Sequence, residues 1–154
     1  MAEFQWSAEQ KRIIEERGHN ILVSAAAGSG KTTVLIERIF QRIMDLENPV
    51  QIDQFVVVTF TKAAAAQMKD RLRERMEEAL AENPDQPHLQ RQMGLLSSAH
   101  ISTVHSFCGY IIQNYFHRIG FDPASRQGTE SELALLKKEV LEELLEEEYG
   151  RGED

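Results

Sequence analysis

The sequence has one cysteine, Cys108, so no internal disulfide can form and the chain suits a reducing compartment. That cysteine and the scattered histidines (His19, His88, His100, His105, His117) make no spaced ligand set, which argues against zinc. Cys108 falls on an apolar helical stripe and reads as a core residue. No apolar run approaches the length of a membrane span, and the start lacks the basic-then-apolar pattern of a secretory signal. The expectation is a soluble, cytoplasmic protein without membrane contact. No internal repeat is visible. A positive net charge is also lacking: the total is −8 over 154 residues. The deficit sits in the tail, where residues 129–154 carry ten acids and three bases, whereas residues 1–128 are nearly balanced. A nucleic-acid surface on the first part is therefore not excluded, because binding follows local patches.

What is present centres on residues 24–33, Ser-Ala-Ala-Ala-Gly-Ser-Gly-Lys-Thr-Thr. A short apolar run (Ile21, Leu22, Val23) precedes them and a periodic helical pattern follows. The order strand, glycine loop, helix makes an anion cradle. Gly28 and Gly30 take φ angles that other residues resist, and backbone N–H groups with the helix N-terminus behind them face a phosphate. Lys31 can reach β- and γ-phosphates, and the Thr32 hydroxyl can ligate Mg²⁺. The usual pattern is G-x-x-x-x-G-K-[ST], and here Ala25 occupies the first glycine position. The plainer alternative is a Gly/Ser loop that only caps a helix.

Around this loop the chain reads as alternating helices and strands. Residues 7–17 form a helix with Ser7 as cap and Gln10 at the capping-box spacing, ended by Gly18. Trp6 is a hydrophobic staple or a flat platform near a ligand. Strands are expected at 20–24, at 55–60, where Val56, Val57 and Val58 suggest burial on both faces, and at 100–104. Helices are expected at 31–45, at 62–82 with a buried stripe of Ala64, Met68, Leu72, Met76 and Leu80, at 88–96, and at 104–118. Helices longer than ten residues between strands call for a parallel sheet, whose ligands sit at the carboxyl ends of the strands. The segments leaving those ends, 25–32, 59–62 and 103–106, are rich in Thr, Ser, Lys and His. Residues 122–128 read as a boundary. From Thr129 a further helix carries Leu133, Leu136, Val140, Leu141, Leu144 and Leu145 opposite many glutamates, leaving an apolar stripe that would favour association or poor solubility.

Four stretches together resemble superfamily 1 DNA helicases of the UvrD type, and within them the bacterial helicase–nuclease (AddA) branch. They are Trp6-Ser7-Ala8-Glu9-Gln10, the loop from Ala25 to Thr32, Thr59-Phe60-Thr61-Lys62-Ala63-Ala64 with Met68 and Arg71, and Thr103-Val104-His105-Ser106-Phe107-Cys108. The ending Leu144-Leu145-Glu146-Glu147-Glu148-Tyr149 is similar to that branch as well. Alanine at the first loop position is usual there. The resemblance implies an α/β P-loop NTPase fold, a RecA-like parallel sheet with flanking helices, present as an incomplete motor domain. It implies motor domain 1A over residues 1–120 and the start of an inserted subdomain over 121–154. It implies ATP and Mg²⁺ as cofactors, held by Gln10 at the adenine edge and by Ala25, Ala26, Ala27, Gly28, Ser29, Gly30, Lys31, Thr32 and Thr33 at the phosphates. It also implies single-stranded DNA as partner, touched by Phe60, Thr61, Lys62, Thr103, His105 and Ser106, and a second, AddB-like subunit in the full protein.

The residues themselves leave other readings open. Gln10 could serve only the helix cap, Phe60 could be a core phenylalanine, and His105 could be bonded locally at a helix start. A solvated face with helix-internal ion pairs explains much of the basic excess at Lys62, Lys69, Arg71, Arg73 and Arg75, and only Lys62, nearest the strand end, is assigned to phosphate contact. Nucleotide hydrolysis further needs a carboxylate at another strand end, and no apolar run here ends in Asp-Glu. The sequence therefore reads as the first piece of a helicase motor. The competing readings are a module that binds nucleotide or DNA without turnover, and a small P-loop kinase.

Overall fold

Ser7 opens the first helix by a reciprocal cap. Its hydroxyl accepts from the Gln10 amide at 3.2 Å, and the Gln10 side chain accepts from the Ser7 amide at 2.9 Å. The computed structural model describes residues 5–26, 28–122 and 124–151. Within it, α1 spans Ala8–Glu15, and α2 spans Lys31–Met44. A short 3-10 turn at Ile52–Gln54 leads into β1, Val56–Thr59. Then follow α3, Lys62–Glu82, α4, Pro87–Leu95, β2, His100–Thr103, α5, Val104–Ile119, and α6, Glu130–Arg151. The chain divides into two units, Met1–Tyr110 and Ile111–Asp154.

In the first unit β1 and β2 pair in parallel, with Val56 opposite His100 and Thr59 opposite Thr103. The helices α3 and α4 lie between the two strands in sequence, as a parallel crossover requires. The architecture is α/β, a two-stranded parallel sheet with flanking helices. Its core joins Ile39, Phe40 and Ile43 of α2, Met68, Leu72 and Met76 of α3, Leu89 of α4, and Val57 and Ile101 of the strands. Two polar contacts, one buried and one part-buried, fasten the segments around this core. Gln92 accepts from the Ile52 amide at 2.9 Å, and His88 Nε2 donates to the Ile43 carbonyl near the end of α2 at 2.8 Å. Between α2 and α3, Arg75 bonds Glu37 at 2.8 Å and stacks 4.0 Å above the Phe40 ring.

Several expectations are corrected here. No strand forms at 20–24. The two strands pair with each other, no ladder reaches Ile21–Val23, and Leu22 is 96% exposed. The β1 valines are not buried on both faces. Val57 packs into the core while Val56 and Val58 stay exposed, because the helices cover the face that carries Val57 and Ile101. In α3 the buried stripe starts at Ala65 rather than Ala64, which is exposed, and Leu80 is only partly buried. Cys108 is exposed, not core. The contact side of α5 is set by Phe107 and Tyr110, whose rings lie 6.3 and 4.5 Å from that of His100, and Cys108 lies off that side.

In the second unit, α5 ends in a Schellman closure: Gly120 takes φ +64° and the Phe121 amide donates to the Phe116 carbonyl at 3.1 Å. Pro123, expected in the boundary, lies outside the described residues. Helix α6 also opens with a capping box. Thr129 Oγ1 accepts from the Glu132 amide at 3.3 Å, and Glu132 accepts from the Thr129 amide at 2.8 Å. The helix continues through Gly150 to Arg151, its leucines are exposed, and Gly152 lies outside the described residues.

Arg75→Ala should destabilise the first unit by about 1–3 kcal/mol, since it strands the buried Glu37 carboxylate, and urea unfolding measures this. Bonds from Arg126 and then from Thr129 lower the Glu132 pKa from 4.5 to about 2. The stabilisation of the folded cap is thus complete above pH 4.5 and is lost as the pH falls towards 2. A carbon-detected carboxyl titration should place Glu132 well below the other glutamates, and Arg126→Ala should return it towards them.

Candidate functional site

The loop that follows Val23 turns on two glycines. Gly28 and Gly30 both hold φ +81°, in the left-handed region that a Cβ disfavours. The Ser29 amide closes the turn onto the Ala26 carbonyl at 3.3 Å. Gly30 is the cap residue of α2 and, having no side chain, covers none of the first amides of that helix. Those amides and the positive end of the helix dipole form an anion-binding terminus. Lys31 curls back over the loop, its ammonium donating to the carbonyls of Ala25 and Ala26, each at 2.6 Å. Thr32 is half-buried on the first turn, and Thr33 is exposed. Ala27 lies outside the described residues.

Beside this terminus is a cavity of about 450 Å³, lined by Gln10 and Ile13 of α1, Ser24, Ala25 and Ser29 of the loop, and Lys31 and Leu35 of α2, among others. Gln10 thus combines two positions. Its Oε1 completes the Ser7 cap, while its Nε2 lies 3.6 Å from where a Cβ on Gly30 would stand. The donor set fits a Mg²⁺–nucleoside triphosphate: backbone N–H groups and an ammonium for the phosphates, a hydroxyl for the metal, and an apolar wall with one amide for a base.

A second group of residues gathers where β1 and β2 end. Their register sets Thr59 beside Thr103, so residues 60–62 and 104–106 leave the sheet at one edge. Phe60 is 96% exposed and is not a core residue. Thr61 caps α3, its hydroxyl accepting from the Ala64 amide at 3.1 Å, and Lys62 is exposed beside it. Thr103 is buried and shares a hydroxyl–hydroxyl bond of 2.9 Å with Ser106, whose amide it also caps at 3.1 Å. His105 is exposed on the first turn of α5. A cleft of about 270 Å³ brings Lys62, Thr103 and Ser106 together with Lys69 and Ser102, two residues that sequence reasoning did not select. Lys69 follows Lys62 by seven residues, two helical turns, and that spacing was the available signal. Of the other basic residues, Arg73 is in a helix-internal pair with Asp70 at 3.0 Å, whereas Arg75 pairs across to α2. No group of three metal-ligating side chains occurs among the described residues, and no helix there is long and apolar enough to cross a membrane.

Residues 6–151 match the family described as the UvrD/REP helicase N-terminal domain. The chain belongs to that family. It is 51% identical over 152 residues to the ATP-dependent helicase/nuclease A subunit of Lachnoclostridium phytofermentans, covering 99% of this chain and 11% of the relative. The protein of that name from Bacillus licheniformis is 53% identical over 147 residues, 96% of this chain and 12% of the relative. The one from Clostridioides difficile is 50% identical over all 154 residues, again 12% of its own length. This UvrD/REP chain therefore spans about an eighth of the curated relatives it matches. It is homologous to a portion of the helicase/nuclease A subunits, and the small-kinase alternative finds no support among them.

The glycine geometry gives a direct check on the UvrD/REP loop. A Cβ on Gly28 would meet nothing within 4 Å, so Gly28→Ala should cost only the backbone strain, about 1–2 kcal/mol, in chemical denaturation. An unchanged midpoint would show that the left-handed turn is not held in solution.

Proposed function

We propose that this chain is the ATP-binding start of a DNA-dependent helicase motor of the helicase–nuclease type, acting in double-strand break repair and recombination. Its fold is then the opening part of a RecA-like P-loop domain, with motor domain 1A over residues 1–120 and the beginning of an inserted subdomain over 121–154. What supports this most is the left-handed turn at Gly28 and Gly30, which delivers an uncapped α2 N-terminus with Lys31 inside the loop.

In this reading Gln10 reads the adenine edge, and the loop from Ala25 to Thr33 holds the phosphates. Lys31 moves from the Ala25 and Ala26 carbonyls to the β- and γ-phosphates, a charge-assisted exchange of neutral acceptors for anionic ones. Thr32 offers its hydroxyl to Mg²⁺, which supplies neutralisation of the phosphate charge when bound. Phe60 stacks on a base of single-stranded DNA, since every base has a π-face, and Thr61, Lys62, Thr103, His105 and Ser106 border the strand. Of these, Lys62 is the direct phosphate cation, while the Thr61 and Thr103 hydroxyls are already engaged in caps. The relatives are named as subunits, which supports a partner for the whole protein in the form of a second, AddB-like subunit. A cytoplasmic location goes with this reading.

No apolar run in the chain ends in Asp-Glu, so the 154 residues should bind Mg²⁺–ATP without DNA-stimulated phosphate release. Calorimetric titration should give saturable ATP binding that Lys31→Ala abolishes. DNA-stimulated turnover by the purified chain, lost in Lys31→Ala, would contradict that expectation. Phe60→Ala should weaken binding of a short oligothymidine by about 1–3 kcal/mol in fluorescence anisotropy, and leave ATP binding unchanged.

A further inference from the structure

Helix α1 has eight residues, too short to hold its own conformation in water, so its placement is set by what it docks on. One anchor is Ile14, which is 2% exposed. Another crosses from α2: the Arg38 guanidinium donates to the Ile13 carbonyl, at the C-terminal end of α1. Arg17 caps the same end from within its own segment, through Ile14 at 2.5 Å and Glu16 at 3.0 Å. Cations at a helix C-terminus satisfy its open carbonyls and complement its dipole. Arg38 differs from Arg17 in that it ties α1 to the helix whose first turn carries Lys31 and Thr32.

We infer that Arg38 is a positioning residue for base recognition, acting through α1 to hold Gln10 against the phosphate loop. The inference rests on the proposed adenine role of Gln10. Gln10 lies three residues before Ile13, and its Nε2 is 3.6 Å from the Cβ position of Gly30. Ile13, the residue whose carbonyl Arg38 holds, lines the same cavity as Gln10 and Lys31. Releasing that carbonyl frees α1 to pivot about Ile14, and Gln10 moves with it. The phosphate ligands are not affected in this way, because the loop and the first turn of α2 continue directly into the helix that carries Arg38. Base reading and phosphate holding thus sit on two different elements, and Arg38 fixes one to the other.

The test separates the two halves of the ligand. Wild type, Gln10→Ala, Arg38→Ala and Arg38→Lys are titrated with the Mg²⁺ complexes of ATP, GTP and tripolyphosphate. Adenine offers an amide the N6 donor and N7 acceptor, which guanine does not reproduce. Wild type should prefer ATP, and Gln10→Ala should lose that preference. Arg38→Ala should lose it too, by about three- to tenfold, the worth of one net hydrogen bond, while tripolyphosphate binding stays within about twofold of wild type. Arg38→Lys, which retains a donor, should recover part of the preference. If Arg38→Ala keeps the ATP preference while Gln10→Ala loses it, the inference is wrong and the reading of Gln10 stands. If tripolyphosphate binding falls in step with ATP, Arg38 is merely structural and the inference is also wrong. If Gln10→Ala keeps the preference, the reading of Gln10 fails and takes the inference with it. Should Arg38→Ala not fold, Arg38→Met, which keeps the apolar stem and has no donor, replaces it, with the same outcomes deciding.

Discussion

Gly28 and Gly30 hold a backbone angle that a side chain would oppose, and the consequences run through the rest of the first unit. The turn they make leaves the first amides of α2 without a side-chain cap. In an ordinary helix, Ser or Asp would sit at that position and satisfy one of those donors, as Thr61 does for α3. Here the donors stay available, and Lys31 is folded over neutral carbonyls that bind it less strongly than a phosphate would. The arrangement favours a polyanion over closure of the helix on itself.

The two candidate surfaces belong to different parts of the same unit. The phosphate loop and Gln10 border a cavity between α1 and the start of α2, while Phe60, Lys62, Thr103 and Ser106 gather at the carboxyl ends of β1 and β2. Helices α2 and α3 connect them, since each begins at one of the surfaces and both meet in the core. Arg75 joins these helices by an ion pair with Glu37 and a stack on Phe40. These contacts make the relative position of the two surfaces a property of packing.

Local signals were legible where the interaction is itself local. The Ser7–Gln10 capping box and the bounds of α2 and α3 depend on residues within four positions of one another. Reading failed where a neighbour distant in sequence decides. Ile21–Val23 has strand composition, but a strand also needs a ladder partner. The triple valine of β1 looked doubly buried, yet the helices lie on one face only. Cys108 has apolar neighbours at helical spacing, yet it is exposed, and the ring contacts of α5 with His100 run through Phe107 and Tyr110. For the candidate site, the glycine loop was legible because its turn is carried by consecutive residues. Lys69, Ser102 and Arg38 were not, since a cleft and a crossing hydrogen bond bring them to their places. Gln10 was legible as the capping-box partner of Ser7, and the same side chain lines the cavity beside the glycine loop.

In the proposed reading, the amides at the start of α2 receive the phosphates of a nucleotide. Amide-resolved NMR of the 154-residue chain, with and without saturating Mg²⁺–ATP, tests it most directly. The largest shifts should fall on the amides from Gly28 to Thr33. Shifts confined to the β1–β2 edge, or no shift at all at saturating nucleotide, would contradict it.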